Sequence, residues 1–448
     1  MALMISVSGI RGIFGSHLTP ENIINYSAAY GTWLGGGRVV VGRDTRVTGQ
    51  IVEDLVCATL QSVGCDVVKA GIATTPTVAM GVLKHKANGG IILTASHNPA
   101  EWNALKMLNH KSEFLDADEG KEVLSIAEKG NFKYKMYDKI GTVSEDNDLL
   151  DYHIRKILDL PYIDQDFIKK KKFTVAVDAV NGAGSHALPN LLTELGAEVK
   201  KIHCEPNGIF PHNPEPLPEN LTEICEFVKH NNVDLGLVTD PDGDRLALVD
   251  ENGRLFGEEY TQVAAFDLML DKKTGNTATN LSSSRAADDI STRHNATCFR
   301  SAVGEINVVK VMKEQNAIIG GEGNGGVINP DLHYGRDALV GTAMVLQLLA
   351  EREIKASDYR NSLPNYEMNK QKIELKNLGM DADELLHKVA KTFSDQNPNT
   401  TDGVKIDFDD GWVHFRKSNT EPIVRVYSEA ATRKEAQELA DKILTILQ

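Results

Sequence analysis

The amino-acid sequence predicts an α/β protein in which three α/β segments are followed by a smaller α+β segment. Its 448 residues correspond to about two to four domains. Short apolar runs alternate with helical patterns, and this alternation starts again twice along the chain. The order strand, helix, strand is typical of βαβ units and of a largely parallel sheet.

The individual elements follow from apolar runs for strands and from apolar residues at helical spacing for helices. The first segment has strands at 38–42, 65–68 and 89–94 and a helix at 49–64. The second has strands at 172–178 and 197–202 and a helix at 188–195. The third has strands at 278–281 and 317–320 and helices at 261–270 and 286–292. The last segment has strands at 372–375, 404–408, 412–415 and 424–427 and helices at 383–392 and 433–447.

The chain is acidic, with 48 Lys and Arg against 63 Asp and Glu and a formal net charge of −15. This balance argues against a protein that coats nucleic acid or an anionic membrane. A phosphorylated ligand would therefore need positive charge that is gathered locally. The cationic run Lys169–Lys172 is expected to be a solvated strand edge rather than such a binding patch.

The five cysteines are odd in number and none is at C-x-x-C spacing, so neither a disulfide framework nor a zinc knuckle is expected. The N-terminus lacks the pattern of a signal peptide. No apolar run approaches the ~18–20 residues that span a bilayer. These features predict a cytoplasmic protein without a membrane partner.

Each α/β segment ends one strand in an unusual loop, at 94–99, 240–245 and 320–326. Ligands of open α/β sheets bind at the carboxyl ends of the strands. One loop from each segment therefore suggests one shared cleft.

The loop Asp240-Pro-Asp-Gly-Asp places the carboxylates of Asp240, Asp242 and Asp244 in a tight turn between two predicted strands. An EF-hand begins with the same alternation, and Glu251 is formally at position 12, but the strand-loop-strand context argues against it. Three close carboxylates repel one another without a cation. A divalent ion is expected here, and Mg²⁺ fits best because coordination sites remain for water and a phosphate oxygen. A charged surface turn is the alternative.

The other loops carry weaker signals when each is taken alone. Ser96, in Thr-Ala-Ser-His-Asn-Pro, is a candidate nucleophile or a residue of a polar turn, and Lys106 is a candidate proton carrier. The segment from Arg416 to Thr420, with Arg425, suits a phosphate dianion or is an ordinary polar hairpin. Glu322 and Asn324 lie among five glycines and suit sugar hydroxyls, or belong to a glycine-rich turn.

Together, the motifs TASHNP, DPDGDR, GEGNGG and RKSNTEP, preceded by SGIRG at 8–12, resemble the α-D-phosphohexomutase family. That family comprises phosphoglucomutases, phosphomannomutases and phosphoglucosamine mutases, and the likeness extends over essentially the whole chain. It implies three related α/β domains with mixed sheets and a C-terminal α+β domain around a central cleft. The boundaries expected for these domains are 1–150, 151–250, 251–363 and 364–448.

The resemblance also implies roles for particular residues. Ser96 would carry a phosphoryl group and, with the three aspartates, hold one Mg²⁺, while a hexose 1,6-bisphosphate would serve as intermediate and activator. The residues around the phosphoserine would be Arg11, His97, Asn98, Lys106 and Arg245. Glu322 and Asn324 would hold sugar hydroxyls. The residues that grip the distal phosphate would be Arg416, Ser418, Asn419, Thr420 and Arg425. The expected partner is a small phosphosugar, with no nucleic acid, and the expected state is a monomer or homodimer.

The sequence departs from the family pattern in two places, which are the sugar loop and the front motif, where SGIRG stands instead of the commoner YDIRG or FGTDG. Asn324 and Gly326 replace a serine and a histidine of the sugar loop, so the proton-carrying role of that histidine is unfilled or has moved to His333. The loop resembles phosphoglucosamine mutases, which favours conversion of glucosamine 6-phosphate to glucosamine 1-phosphate. The Ser-Asn-Thr-Glu-Pro motif resembles the phosphomannomutase and phosphoglucomutase branch, which is the alternative. The remote alternative is a non-catalytic sugar-phosphate binding protein or a phosphatase.

Overall fold

The computed structural model describes residues 3–6, 9–374, 381–417 and 423–447. The chain divides into two compact units. The first unit comprises residues 1–268 and 324–359, and the second comprises residues 269–323 and 360–448. Each unit is described by itself below.

The first unit begins with a mixed sheet whose strand order is β1-β2-β6-β5-β3-β4-β7. Its strands are β1 Met4–Ser6, β2 Gly9–Ile13, β3 Gly37–Arg43, β4 Cys65–Ile72, β5 Gly89–Leu93, β6 Trp102–Leu108 and β7 Val143–Glu145. The accompanying helices are α1 Pro20–Leu34, α2 Gly49–Ser62, α3 Thr75–His85, α4 Ala117–Lys129 and α5 Leu149–Leu158. Strand β3 pairs in parallel with β4 and β5, whereas β6 is antiparallel to both β5 and β2.

The apolar run in β3 explains why this sheet is covered on both faces. Successive side chains of a strand point to opposite faces. Val39 and Val41 belong to one apolar cluster and Val40 to another, and all three are fully buried. A continuous apolar run is therefore the pattern expected of a strand between two layers of helices.

A second sheet of the first unit has the strand order β11-β10-β8-β9. Its elements are α6 Gln165–Lys171, β8 Thr174–Asp178, α7 Gly184–Glu194, β9 Glu198–Ile202, α8 Thr222–His230, β10 Leu235–Thr239 and β11 Leu246–Asp250. The next helix, α9 Tyr260–Lys272, begins in the first unit and ends in the second. Strands β8, β9 and β10 are parallel, and β11 turns back antiparallel to β10. This turn is the DPDGDR loop, which confirms the strand-loop-strand prediction.

The chain then passes between the units, because residues 324–359 return to the first unit. The elements between residues 276 and 362 are β12 Asn276–Asn280, α10 Ala286–Arg293, β13 Cys298–Ser301, α11 Glu305–Glu314, β14 Ala317–Glu322, β15 Gly326–Ile328, α12 Ala338–Arg352 and α13 Ala356–Ser362. In the second unit, β12 pairs in parallel with β13 and β14.

The second unit ends in an antiparallel sheet of order β16-β19-β18-β17. Its elements are β16 Glu367–Glu374, α14 Ala382–Thr392, β17 Val404–Asp407, β18 Gly411–Lys417, β19 Ile423–Ala430 and α15 Arg433–Leu447. Its apolar face contains Val413, Phe415, Val424 and Val426, which pack with residues of α14 and α15. Strands surrounding two helices were predicted for this segment, and the α+β prediction is confirmed.

The prediction of a strand edge at the lysine run is wrong, although Lys169, Lys170 and Lys172 are exposed as expected. Lys169, Lys170 and Lys171 form the last turn of α6, and the following strand β8 begins only at Thr174. The side chain of Asp164 caps the helix by accepting from Phe167 N, at 2.9 Å. Three cations at the carboxyl end of a helix favour helix over strand, since they interact with the negative end of the helix dipole.

Across the described residues, no helix is long and apolar enough to cross a membrane. All five cysteines are described and all five are free thiols. The absence of a disulfide agrees with their odd number and irregular spacing.

Candidate active site

Ser96 lies in a turn that follows the buried strand β5 in the first unit. Its φ is +49°, which is a left-handed conformation that side chains with a Cβ rarely adopt. The backbone N–H of Ser96 donates to Thr94 Oγ1 at 2.9 Å. The residue is 2% exposed. A strained, almost fully buried serine needs surrounding contacts that determine its backbone, and such residues occur often at functional sites.

Arg46 supplies these contacts, although it lies fifty residues earlier in the chain. Its guanidinium donates to the carbonyl oxygens of Asn98 at 2.8 Å, Pro99 at 2.6 Å and Trp102 at 3.0 Å, and also to the carbonyl oxygen of Ser96. Its Nε donates to Asp44 Oδ2 at 2.8 Å. The planar fork of an arginine suits this task, because its five donors have fixed directions.

The three aspartates predicted to hold a metal lie together beside Ser96. All are completely buried, and their ligand atoms lie within 4.8 Å of one another. Ser96 Oγ donates to Asp240 Oδ2 at 2.6 Å, across a sequence separation of 144 residues. Asp242 Oδ2 accepts from Thr75 Oγ1 at 2.6 Å, so the loop is also tied to the start of α3.

The cluster fits a divalent cation. Asp242 Oδ1 and Asp244 Oδ1 are buried, and neither has a hydrogen-bond partner among the described residues. Buried carboxylate oxygens are costly without a partner. Carboxylate oxygens are the ligands that Mg²⁺ prefers, and Mg²⁺ also keeps positions for water and a phosphate oxygen. The unpartnered oxygens are therefore the atoms that a hard cation would take.

The mutual repulsion of the aspartates separates their proton affinities. Burial, together with the charges of Asp242 and Asp244, raises the pKa of Asp240 well above its ordinary value. Burial also acts to raise the pKa of Asp242, but Lys106 and hydrogen bonds outweigh it and hold that pKa below its ordinary value. The raised pKa of Asp240 is the effect that a bound cation would reverse.

Cationic side chains surround this acidic cluster. Lys106 Nζ lies 2.7 Å from Asp242 Oδ2 and 3.9 Å from Asp244 Oδ2. Arg336 Nη2 donates to Asp244 Oδ2 at 2.6 Å, and Arg245 Nε lies 3.9 Å from Asp244 Oδ1. Arg11 Nη1 donates to Asn98 Oδ1 at 2.7 Å. The positive charge that a phosphorylated ligand requires is thus gathered locally in an acidic chain.

His97 is held neutral by its surroundings. Burial and the nearby guanidinium groups of Arg245 and Arg11 lower the pKa of His97 to about 2. Its Nδ1 lies 3.4 Å from Ser96 Oγ, and its Nε2 lies 3.8 Å from Glu215 Oε1. At neutral pH this imidazole can accept or donate a hydrogen bond beside the serine without adding charge.

The glycine-rich loop contains residues of both units. In the second unit, Glu322 is buried at the end of β14, and its Oε1 accepts from Asn280 Nδ2 at 3.0 Å and from Gly304 N at 3.1 Å. In the first unit, Asn324 Oδ1 accepts from Gly326 N at 3.2 Å. Gly325 has a φ of +87°, and a Cβ there would meet Leu246 O at 2.5 Å. Glycine is needed at this position because the loop passes directly over β11.

The predicted phosphate grip is described only in part. Arg416 lies on β18, directly opposite Arg425 on β19, rather than in the loop itself. Its Nε donates to Asp402 Oδ2 at 2.8 Å. Ser418, Asn419 and Thr420 lie outside the described residues. The two arginines therefore stand at the strand ends that flank the loop.

In the sequence, His333 is the alternative residue for the proton-carrying role of the histidine that is missing from the sugar loop. It is buried in the first unit, where its Nε2 lies 3.3 Å from Asp337 Oδ2. The same oxygen lies 2.9 Å from His153 Nε2, and Asp337 Oδ1 accepts from Leu339 N at the start of α12. These contacts give His333 a local partner at the amino end of a helix, so a proton-carrying role gains no support from them.

Two residues of the site were missed from the sequence. Arg46 belongs to the run Gly42-Arg43-Asp44-Thr45-Arg46 after β3, and Arg336 precedes α12. Arg46 lies just after the carboxyl end of β3, where ligands of open α/β sheets bind, and that position is a usable signal. The contacts that bring them to the site are distant in sequence: the carbonyl oxygen of Ser96 lies fifty residues from Arg46, and Asp244 lies ninety-two residues from Arg336.

Arg46→Lys is expected to lower kcat by about 10²-fold, because an ammonium cannot hold several carbonyl oxygens and Ser96 would lose its fixed position. The free energy of unfolding should also fall by about 3 kcal/mol, since a buried ion pair with Asp44 is disturbed. Steady-state kinetics and urea unfolding measure both effects. Arg43→Lys, three residues earlier and half-buried, is the matched control. A wild-type kcat in Arg46→Lys would contradict this assignment.

Family models match almost the entire chain. The alpha/beta/alpha domains I, II and III of the phosphoglucomutase/phosphomannomutase family match residues 3–134, 151–253 and 257–366. The C-terminal domain of the same family matches residues 369–446.

Relatives named in this family align over the full length. A phosphoglucomutase/phosphomannomutase of Thermococcus kodakarensis is 38% identical, with 100% of this chain and 99% of that protein aligned. A probable phosphoglucosamine mutase of Methanopyrus kandleri is 33% identical, with 100% of this chain and 98% of that protein aligned. The crystal structure of a putative phosphomannomutase from Thermus thermophilus has the same fold, with a TM-score of 0.84, 23% identity and 99% of both chains covered.

The expected architecture of mixed α/β sheets with a C-terminal α+β domain is confirmed by the sheets and by the four family models. With full-length relatives above 30% identity, the fold and the sequence lead to one conclusion. The chain belongs to the phosphoglucomutase/phosphomannomutase family and is a phosphohexomutase.

Proposed function

We propose that the protein interconverts glucosamine 6-phosphate and glucosamine 1-phosphate through a phosphoserine at Ser96. One observation carries the mechanism: Ser96 Oγ lies 2.6 Å from Asp240 Oδ2, beside two buried carboxylates that each have one oxygen without a hydrogen bond to any described residue. A serine hydroxyl that adjoins a site for a hard cation and several guanidinium groups suits phosphoryl transfer, which depends on positioning and charge neutralisation.

The reaction consists of two transfers of opposite direction. In the first, the bond between phosphorus and Ser96 Oγ breaks while a sugar hydroxyl oxygen bonds to phosphorus, which gives a bound hexose 1,6-bisphosphate. After the bisphosphate reorients, its other phosphoryl group returns to Ser96 Oγ. Each hydroxyl that attacks loses a proton and each oxygen that leaves gains one, so the net reaction releases no proton.

The residues around Ser96 have separable tasks in this scheme. Arg46 fixes the backbone of the serine, and neutral His97 adjoins its hydroxyl. Lys106 is the proposed proton carrier. Arg11 and Arg245 offset the charge of the phosphoryl oxygens. Asn98 orients Arg11, as their 2.7 Å hydrogen bond indicates.

Asp240, Asp242 and Asp244 would hold one Mg²⁺ together with an oxygen on Ser96. When bound, this ion supplies positive charge next to the transferring phosphoryl group. The pairing of Lys106 with Asp242 and of Arg336 with Asp244 keeps the remaining carboxylate oxygens in fixed directions.

Residues of the second unit are proposed to bind the rest of the substrate. Glu322, with the adjacent Asn324 of the first unit, would hold sugar hydroxyls. Arg416 and Arg425, with the loop 418–420, would grip the distal phosphate through charge-assisted hydrogen bonds. The domain boundaries 1–150, 151–250, 251–363 and 364–448 accompany this proposal, in which each domain contributes one binding element.

Arg416→Ala is expected to raise KM for both the 1-phospho and the 6-phospho substrate, because either orientation of the sugar presents a phosphate to the same guanidinium. More bisphosphate should also escape into solution. Arg416→Lys should restore binding only in part, since an ammonium cannot make a two-pronged contact. Initial rates and the concentration of free bisphosphate measure these effects.

Lys417→Ala is the matched control for Arg416→Ala. Lys417 is the adjacent cation on β18, is half-exposed and pairs with Asp383 at 2.7 Å. If Arg416→Ala and Lys417→Ala have the same KM and release the same amount of bisphosphate, the distal phosphate is held by other residues.

The choice of glucosamine is supported by relatives of 33% identity that are named probable phosphoglucosamine mutases. A second candidate, interconversion of mannose or glucose phosphates, is favoured by the 38% identical phosphoglucomutase/phosphomannomutase. Coupled assays with glucosamine 6-phosphate, mannose 1-phosphate and glucose 1-phosphate test the choice. We expect the highest kcat/KM with glucosamine 6-phosphate. An equal or higher kcat/KM with another sugar phosphate would contradict the assignment of glucosamine as the substrate.

The phosphoserine itself can be tested by intact mass. Wild-type protein incubated with a hexose 1,6-bisphosphate should gain about 80 Da, and the Ser96→Ala variant should not. A phosphatase would release inorganic phosphate from a monophosphosugar without forming its isomer, and a binding protein would do neither. These two outcomes would overturn the mutase mechanism.

A further inference from the structure

A second cluster of ligand atoms lies in the first unit, outside the site described above. It consists of Asp178 at the end of β8, His203 directly after β9, and His212 in the proline-rich segment that follows. Because β8 and β9 are neighbouring parallel strands, Asp178 and His203 stand at the same carboxyl edge of the sheet. One ligand atom from each of the three lies within 4.8 Å of the others.

The distances suit a transition-metal ion. Asp178 Oδ2 is 3.0 Å from His203 Nδ1 and 3.1 Å from His212 Nε2. Ligand atoms about 2.0–2.2 Å from a zinc ion at tetrahedral angles lie only slightly farther apart than this. Asp178 Oδ1 is already fixed, because it accepts from Val180 N at 2.9 Å, so Oδ2 is the atom that faces both imidazoles.

The outer nitrogens of both imidazoles have acceptors. His212 Nδ1 lies 2.8 Å from Asn213 O, and His203 Nε2 lies 3.5 Å from Glu223 Oε2. Metal-ligating histidines almost always place their second nitrogen on a carbonyl or carboxylate in this way. Since a carbonyl oxygen can only accept, His212 Nδ1 carries a proton. Its Nε2 then faces the carboxylate either as part of an imidazolium or as a metal ligand.

Solvent reaches the cluster. The side chains of His203 and His212 are each 16% exposed, while Asp178 is buried. A partly open site leaves room for water as a fourth ligand, which is typical of zinc sites with three protein ligands. Two imidazoles and one carboxylate favour zinc over Mg²⁺, which prefers oxygen ligands.

We propose that Asp178, His203 and His212 form a zinc-binding site, separate from the acidic cluster at Ser96. The site would fasten residues 203–215, and this segment touches the catalytic machinery. Its Phe210 ring lies 5.1 Å from the guanidinium carbon of Arg46, and its Glu215 Oε1 lies 3.4 Å from Arg245 Nη1. A bound zinc ion would therefore stabilise the segment that supports both arginines.

Without the metal, hydrogen bonds join both imidazoles to Asp178 Oδ2. Protons compete with zinc for imidazole nitrogens in general, so the affinity for zinc should fall from pH 7.5 to pH 5.5.

The test measures the stoichiometry and the affinity of zinc binding. The protein is first treated with a chelator and is then equilibrated with Zn²⁺ in the presence of excess Mg²⁺. The variants are His203→Gln and His212→Gln, and His230→Gln is the matched control because His230 is an exposed histidine of α8 in the same sheet region. Asp242→Asn tests whether the zinc binds instead at the acidic cluster beside Ser96. We expect one tightly bound zinc in the wild type, His230→Gln and Asp242→Asn, and at least about a tenfold weaker affinity in the two cluster variants.

Two further measurements do not depend on activity. Circular dichroism and thermal unfolding of the metal-free variants check that they fold. Cobalt(II) bound to the wild-type protein should show the intense visible bands of a tetrahedral site, and these bands would test the proposal even if a variant failed to fold. The proposal is overturned if the wild type binds zinc no tighter than the cluster variants, if Asp242→Asn loses the ion, or if cobalt gives only weak octahedral bands.

Discussion

Ser96→Ala should abolish mutase turnover, with a loss of at least about 10⁴-fold in kcat. The reason is that the alanine variant lacks the hydroxyl oxygen that contacts Asp240 and would receive the phosphoryl group. The variant should still fold, because the change removes one hydroxyl and little apolar area. A coupled assay measures turnover, and thermal unfolding measures the integrity of the fold.

Ser112→Ala is a stringent control for this variant. Ser112 is also 2% exposed and also has a left-handed backbone, with φ of +65°, but it lies in the turn after β6. It should keep turnover close to that of the wild type. Substantial turnover by purified Ser96→Ala would exclude a phosphoserine mechanism.

Asp242→Asn should lower kcat by about 10²–10³-fold and weaken Mg²⁺ binding. Asparagine has nearly the same shape, but it removes one negative charge from the cation site and the partner of Lys106 at 2.7 Å. Activity measured as a function of Mg²⁺ concentration separates the two effects, since a weaker site shifts the midpoint and a misplaced Lys106 lowers the plateau.

Asp250→Asn is the matched control for the charge change. Asp250 is a buried aspartate at the end of β11, where its Oδ1 accepts from Asn252 N and Arg254 N, contacts that an asparagine can keep. Wild-type activity of Asp242→Asn after exhaustive chelation would exclude a catalytic metal at this cluster.

Much of the fold could be predicted because it depends on local patterns. The run Val39-Val40-Val41 indicates a strand covered on both faces, and the alternation of carboxylates from Asp240 to Asp244 between two apolar runs indicates a turn that gathers three carboxylates. The same holds for the closing α+β segment, whose strands and helices have clear periodicities. For these parts the local sequence and the tertiary structure agree.

Other parts could not be predicted because they depend on partners that are distant in sequence. The sequence marks Lys106 as a candidate proton carrier, but its contact with Asp242, 136 residues away, depends on the tertiary structure. Arg46 has no feature of its own that marks it as the support of Ser96. The helix at Lys169–Lys171 was missed because a short cationic run has no apolar period, and its formation depends on the cap at Asp164 and the dipole.

The left-handed backbone of Ser96 implies a conflict between reactivity and folding stability. At a φ of +49°, a residue with a Cβ destabilises the folded state by on the order of 1 kcal/mol relative to glycine. The hydrogen bonds that Arg46 donates to this turn offset the loss. Ser96→Gly and Ser96→Ala both lack the nucleophile, yet the glycine variant should be the more stable of the two by about 1 kcal/mol. Urea unfolding of both variants would measure the difference between their free energies of unfolding. This difference is the stability cost of the left-handed backbone that directs the hydroxyl of Ser96 at the aspartates.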